Sequence, residues 1–322
     1  MKPRVFLTRQ LPSAVMERLE RETDLAYHRE DRVATKAEVI AGMKGRHALL
    51  CTILDRVDAE LLDACPGLKV VANFGVGFNN IDVAAATARK IPVTNTPGVL
   101  TDATADMTFA LLLAVARRLG EGERIVRAHK WEGWQPLQLL GSDVTGATLG
   151  IIGFGRIGQA VARRAKAFGM RVIYWNRSAL PKSPESAATC VSFEEALRQS
   201  DFVSLHVAYN SETHHLLDEP QFALMKPTAF VINTTRGAVI NETALVRALQ
   251  TKQIAGAALD VFEREPQLVP GLVGIENVVL APHLGSATIG TRTKMGMIAV
   301  DNLLAACEGR RPPNCVNPEV MH

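Results

Sequence analysis

At 322 residues the chain is long enough for about two domains of ~150 residues each. Its 36 Lys+Arg against 33 Asp+Glu leave a formal charge of only +3, which excludes a clustered basic nucleic-acid binder as the default expectation. A hydrophobic fraction of 47% with 21% charged residues excludes disordered and collagen-like classes.

Five cysteines (Cys51, Cys65, Cys190, Cys307, Cys315) form no Cys-x-x-Cys pair, so reduced thiols are expected and no metal site. The segment Met1–Thr8 already reads as a strand, with no apolar signal-peptide core behind it. No apolar run reaches the ~18 residues of a membrane span. A cytoplasmic protein without membrane or nucleic-acid partners is expected.

In chain order, short apolar runs alternate with helical patterns, which predicts parallel α/β layers. Val5–Thr8, Ala48–Thr52, Lys69–Ala72 and Pro92–Asn95 read as buried strands. Helices are predicted over Pro12–Arg21, Lys36–Ala41, Ala59–Ala64 and Val83–Lys90, with Thr35 and Glu38 spaced as a capping box and Asp58 and Asp82 as N-caps. This block predicts a flavodoxin-like layer.

Asn95-Thr-Pro-Gly98 punctuates the chain, and Thr101–Arg118 then reads as a buried helix, continued in polar form to about Lys130. A second series follows. Its strands are Thr148–Gly153, Arg171–Trp175, Phe202–Val207, Phe230–Asn233, Ala255–Asp260 and Val278–Ala281. Its helices are Arg156–Phe168, Phe193–Gln199 (Ser192 and Glu195 as a capping box) and Glu242–Thr251. A last helix, Thr288–Glu308, has nothing nearby in sequence to pack on. It is expected to cross back to the first domain, giving a discontinuous substrate domain (1–98 and 286–322) around a dinucleotide-binding domain (99–285).

Gly153-Phe154-Gly155-Arg156-Ile157-Gly158 matches G-x-G-x-x-G. The pattern is weak alone, but here it follows a strand and opens a helix, as a pyrophosphate-binding turn requires. A glycine-rich turn without a ligand is the plainer alternative. The next strand ends in Asn176-Arg177-Ser178, where an NAD site carries Asp or Glu for the ribose 2′-hydroxyl. With no carboxylate there to repel a 2′-phosphate, Arg177 to pair with it, and Asn176 and Ser178 to hydrogen-bond to it, NADP(H) is expected, with NAD(H) used less efficiently. Arg177 as a solvated surface charge is the alternative.

Three strand ends in this half carry chemistry-bearing residues: Val231–Gly237 with Arg236, Leu259–Pro266 with Glu265, and Ala281–Ser286 with His283. Carboxyl ends of strands are where open α/β sheets place ligands. Together with Asn73–Asp82 and the Thr94–Ala105 crossing, these motifs span nearly the whole chain. The sequence resembles the D-isomer-specific 2-hydroxyacid dehydrogenase family, most of all its glyoxylate/hydroxypyruvate reductase branch.

The resemblance implies a two-domain α/β fold, a Rossmann-like nucleotide-binding domain plus a flavodoxin-like substrate domain, with ligands in the cleft between them. It implies that Arg236 binds the 2-oxo carboxylate and polarises the carbonyl, that His283 protonates the developing alkoxide, and that Glu265 orients His283. The loop Gly75-Val76-Gly77 would offer N–H groups to the carboxylate. Phe74 and Phe78 would either shape that pocket or pack in the core. Thr234, Thr235, Arg236, Asp260, His283 and Gly285 would complete the cofactor's surroundings. His206 could approach the cofactor through its backbone, with its side chain expected to be structural, and His28, His47, His129, His214, His215 and His322 are expected to be surface or packing residues.

The branch also implies a homodimer whose arm includes Trp131-Glu-Gly-Trp134-Gln-Pro-Leu137. Trp134 would either border the partner's substrate pocket or serve dimer packing. Reduction of glyoxylate and hydroxypyruvate to glycolate and D-glycerate is the expected activity. A 2-ketogluconate reductase and a non-catalytic NAD(P)H-sensing corepressor are the alternatives. Phosphoglycerate oxidation is disfavoured because the sequence stops at His322, and formate oxidation because that branch has Gln where Glu265 stands.

Overall fold

The computed structural model describes residues 2–178 and 188–321, so Met1 and His322 lie outside the described residues. The chain divides into two compact units, residues 1–100 with 287–322, and residues 101–286.

The first unit runs β1 (Arg4–Leu7), α1 (Ser13–Glu22), β2 (Asp24–Tyr27), α2 (Lys36–Met43), β3 (Ala48–Thr52), α3 (Ala59–Ala64), β4 (Val70–Phe74), α4 (Val83–Ala88) and β5 (Val93–Thr94). Its strands form one parallel sheet in the order β2-β1-β3-β4-β5, the flavodoxin-like arrangement. Side-chain alternation along each strand explains why both faces are covered. Leu49, Cys51 and Val71 join Val39, Leu61 and Leu62 on one face, while Leu50, Val70 and Ala72 meet Val15 and Leu19 of α1 on the other.

The predicted caps form. Thr35 and Glu38 make the reciprocal capping box, and the Asp58 and Asp82 side chains accept from Leu61 N and Ala85 N. The unpredicted strand of this unit is β2, a half-buried edge of four residues without a clean apolar alternation.

The second unit opens with α5 (Thr101–Ala116) and α6 (Leu119–Arg127), separated where Arg118 takes a left-handed φ of 51°. It continues with β6 (Thr148–Ile152), α7 (Arg156–Ala167), β7 (Arg171–Trp175), β8 (Thr189–Cys190), α8 (Phe193–Gln199) and β9 (Phe202–Leu205). Then come α9 (Glu219–Leu224), β10 (Phe230–Asn233), α10 (Glu242–Gln250), β11 (Gly256–Leu259) and β12 (Val278–Leu280). The sheet is parallel throughout, in the order β12-β11-β10-β9-β6-β7-β8.

This is a doubly wound, Rossmann-like sheet whose strand order reverses between β6 and β9, the point where such sheets bind ligands. Leu149, Ile151, Ile232 and Ala258 pack under α5 and α7, and Ile152, Val203, Val231 and Leu259 under α8 to α10. The unpredicted α9 carries a legible start signal, Asp218 capped reciprocally by Gln221 with a proline in the first turn.

The last helix, α11 (Ile289–Cys307), belongs to the first unit. Ala299, Val300 and Leu303 pack into the Val15–Leu19 face, and Arg18 of α1 pairs with Asp301 at 2.7 Å. Among the described residues no helix is long and apolar enough to cross a membrane.

Candidate functional site

The glycine turn sits at the sheet's switch point, between the ends of β6 and β9. Gly153 has φ +96°, and a Cβ there would meet the His206 carbonyl group at 2.7 Å, so the position tolerates glycine alone. Gly155 is the opposite case: a Cβ would find nothing within 4 Å. Gly155 is also the N-cap of α7 and supplies no side-chain cap, so this twelve-residue helix presents uncapped N–H groups to open space. That is the anion cradle a dinucleotide pyrophosphate fills.

Arg156 is exposed and Ile157 is half-buried against the α5–α7 core, while Phe154 is fully buried and stacked on Tyr174 with ring centroids 4.0 Å apart. The Phe154 side chain therefore serves the core. Its N–H is also engaged, donating to Asn176 Oδ1 at 3.1 Å.

Asn176 ties the β7 end to the glycine turn: its Oδ1 accepts from Phe154 N, while its Nδ2 donates to the Ser178 carbonyl at 2.7 Å. Arg177 has a partner inside this unit. The sequence places no carboxylate beside it, but the loop after β9 brings Glu212 into an ion pair with its guanidinium. Both side chains are exposed, and Glu212 N–H is held by Asn210 Oδ1 at 2.9 Å.

The three strand ends converge within this unit. The β10 end is shaped by Asn233, whose Oδ1 accepts from Thr235 N and Oγ1 at 3.0 and 2.8 Å and whose Nδ2 donates to the Arg236 carbonyl at 2.9 Å. Thr234 is buried with its hydroxyl 3.0 Å from that of Thr108. Arg236 is half-buried and donates through Nη1 to the Thr235 carbonyl at 2.7 Å. Burial lowers its pKa, opposed by the charge of Glu265.

Next in sequence is Gly237, where any Cβ would collide with the Phe262 and Glu263 backbone. The Arg236 turn is thereby pressed against the acidic turn after β11. There Glu265 Oε1 accepts from Phe262 N at 3.0 Å and Oε2 lies 2.9 Å from His283 Nδ1. Burial would raise the Glu265 pKa. The hydrogen bond and charge of His283, the Phe262 N–H and Arg236 outweigh it, and the net shift is downward. Glu265 is thus held as the carboxylate that accepts from Nδ1, leaving Nε2 as the ring nitrogen for other chemistry. His283 itself has φ +57°, an uncommon backbone state for a non-glycine residue, and strain of this kind clusters at working sites.

Asp260 is a loop anchor. Its buried carboxylate, with a pKa raised by that burial, accepts from Leu284 N and Gly285 N at 2.6 and 2.7 Å. Asp260 and Gly285, both expected beside the cofactor, are joined by the second of these bonds. Sequence reasoning did not find Glu242, buried at the start of α10, whose Oε1 accepts from Glu263 N at 2.8 Å and steadies the acidic turn. It reads in sequence only as a first-turn acid. The His206 side chain has Nε2 2.8 Å from Ser204 Oγ and a buried Nδ1 with no partner among the described residues.

In the first unit, Val76 and Gly77 form a half-exposed loop after β4. Phe74 packs in the α1–α11 core and Phe78 is exposed. In the second unit Trp131 and Trp134 are exposed, Trp134 by 82%, on a segment that also exposes Leu137 and Leu140.

Residues 109–285 match the family model of the D-isomer specific 2-hydroxyacid dehydrogenase, NAD binding domain. Among curated proteins, the glyoxylate reductases of Thermococcus litoralis and Korarchaeum cryptofilum are each 48% identical over 100% of this chain and 98% of their own. A solved NADPH-dependent glyoxylate/hydroxypyruvate reductase from Sinorhizobium meliloti, in complex with NADP and malonate, is 36% identical. It superimposes with a TM-score of 0.88, covering 99% of this chain and 98% of its own. With the nicotinamide-cofactor cradle and the Arg236, Glu265 and His283 strand ends in one unit, the chain belongs to the D-isomer-specific 2-hydroxyacid dehydrogenase family, on its glyoxylate reductase branch.

Proposed function

We propose that the protein is an NADPH-dependent reductase of small 2-oxo acids, converting glyoxylate to glycolate and hydroxypyruvate to D-glycerate. The observation that carries this reading is the Glu265–His283 pair at 2.9 Å beside the half-buried Arg236. The names of the relatives support the substrate class.

The bound nicotinamide supplies the hydride. The residues of the chain do the rest. Gly155 and the N-terminus of α7 receive the pyrophosphate, and Arg177 pairs with the 2′-phosphate. Arg236 binds the substrate carboxylate through its planar fork and polarises the 2-oxo group. His283, held by Glu265 through Nδ1, releases its Nε2 proton to the oxygen that becomes the 2-hydroxyl. Val76 and Gly77 offer backbone N–H groups to the carboxylate.

Arg177 favours NADPH because the β7 end has no carboxylate of its own, while its pairing with Glu212 tempers that preference and leaves NADH as the poorer cofactor. The exposed apolar arm of Trp131, Trp134, Leu137 and Leu140 supports a homodimer with a second copy as its cover. The five free cysteines fit a cytoplasmic setting.

The test is NADPH and NADH consumption with glyoxylate, hydroxypyruvate, pyruvate and 2-ketogluconate. The reading predicts fastest turnover on glyoxylate and hydroxypyruvate, with NADPH. A preference for 2-ketogluconate would reassign the substrate, and no turnover with any acid would favour a sensor.

A further inference from the structure

The loop after β4 carries an arrangement that the family resemblance does not explain. Each of its three carbonyl groups is drawn back by a donor of the same unit. Thr96 N donates to the Gly75 carbonyl at 2.9 Å, Asn95 Nδ2 to the Val76 carbonyl at 2.8 Å, and Asn73 Nδ2 to the Gly77 carbonyl at 2.9 Å. A peptide plane whose oxygen is fixed on one side must present its N–H on the other. The N–H groups of Val76 and Gly77 donate to no acceptor among the described residues. Successive N–H groups displayed in this way form an anion-binding concavity.

The donors are themselves braced. Asn95 has its N–H on the Asn314 carbonyl at 3.2 Å and its carbonyl on Asn302 Nδ2 at 3.0 Å. Asn302 is fully buried on α11, and its Oδ1 in turn accepts from Asn314 N at 3.1 Å. Fixing the Asn95 backbone at both ends leaves its side-chain amide aimed at Val76. On the other side, Asn73 Oδ1 accepts from Asn80 Nδ2 at 3.3 Å, and the same Asn80 Nδ2 also donates to the Thr52 and Asp55 carbonyls, each at 3.1 Å. The amide orientation of Asn73 follows from that network: its Oδ1 is the acceptor, so its Nδ2 faces Gly77.

We propose that Asn95 is a positioning residue for substrate recognition: by holding the Val76 carbonyl inward it keeps the Gly77 N–H of the same peptide plane turned out to receive the carboxylate of the 2-oxo acid, beside the Val76 N–H that the Gly75–Thr96 bond orients, while Asn73 steadies the far end of the loop through the Gly77 carbonyl. The proposal rests on the reductase reading above. Neither asparagine touches substrate. Each acts through the peptide plane it fixes, and losing the Val76 restraint weakens substrate binding more than the chemical step.

Asn95→Ala is the variant of choice, because Asn95 is half-buried whereas Asn73 is fully buried. Its KM for glyoxylate should rise about five- to tenfold, the equivalent of one neutral hydrogen bond, with a much smaller change in kcat and an unchanged NADPH affinity. A residue that only supported the fold would instead lower the melting temperature and kcat together.

Amide NMR on protein labelled at valine and glycine, saturated with NADPH and titrated with the unreactive substrate mimic oxamate, separates the remaining outcomes. The Val76 and Gly77 resonances should shift in the native protein, and the variant should need several-fold more oxamate. Resonances that ignore oxamate in the native protein would overturn both the proposal and the placement of the carboxylate at this loop. Shifts at the same oxamate concentration in both proteins would overturn the role of Asn95 and leave that placement standing.

Discussion

Gly237 and Phe262 lie so close that no side chain fits between them: any Cβ on Gly237 would collide with the Phe262 carbonyl group. That single approach presses the turn carrying Arg236 against the turn carrying Glu265. Gly237→Ala should push the two turns apart and misplace both residues. Catalytic geometry tolerates little displacement, so kcat/KM should fall by about 10²-fold. Steady-state kinetics together with a melting curve check this. Native activity in the alanine variant would show that the approach is incidental.

The Glu265–His283 pair predicts a graded pair of losses. Removing the imidazole in His283→Ala should lower turnover by ~10²–10⁴-fold while NADPH titrations stay unchanged, the usual worth of a placed general acid. Glu265→Gln keeps the shape and a weaker hydrogen bond, so its loss should be smaller. Equal kcat in the native enzyme and the glutamine variant would take Glu265 out of the mechanism.

On the proposed reading, the cofactor preference rests on Arg177 and its partner Glu212. Glu212→Gln removes the carboxylate that competes with a 2′-phosphate, and an exposed pair of this kind is worth about two- to fivefold in affinity. The KM for NADPH should fall by that factor and the KM for NADH should not move. Arg177→Ala should erase the preference. A Glu212→Gln variant that improves both cofactors alike would place the effect elsewhere than at the 2′-phosphate.

His206 predicts a pH dependence of stability. Burial lowers its pKa from the ordinary 6.5 to about 3, so the folded protein keeps it neutral. Below pH 6.5 the unfolded chain takes up a proton that the folded chain refuses. Stability is therefore flat above the unfolded value and falls as the pH drops from there towards 3, with a slope of at most ~1.4 kcal/mol per pH unit for one proton. Urea midpoints between pH 7 and 5 should decline in the native protein and decline less in His206→Gln. Parallel curves would assign the acid sensitivity to other groups.

Much of the architecture was legible because local signals and packing agree. The capping boxes at Thr35–Glu38 and Ser192–Glu195, the glycine turn and the long apolar helix from Thr101 each state in a few residues what the fold does with them. The edge strand β2 was not legible, since a half-buried strand of four residues carries too little alternation. The helix α9 was missed as well: Asp218, Gln221 and Pro220 give a capping pattern, but no long apolar face follows it.

Within the site, Arg236, Glu265 and His283 could be read from the strand ends that carry them. The partners of the residues around them could not. Glu212 is 35 residues from Arg177, Asn176 spends its amide on Phe154 and Ser178, and Asp260 spends its carboxylate on Leu284 and Gly285. Such pairings depend on where loops fall in space, which sequence spacing does not encode.

The most direct test of hydride transfer follows the atom itself. Glyoxylate is incubated with the enzyme and NADPH carrying deuterium at one or the other C4 position, and the glycolate is weighed by mass spectrometry. One of the two labelled cofactors should give glycolate with a single deuterium at C2 and the other unlabelled glycolate. Glycolate without deuterium from both cofactors, or no glycolate at all, would contradict the assignment of this protein as a 2-oxo acid reductase.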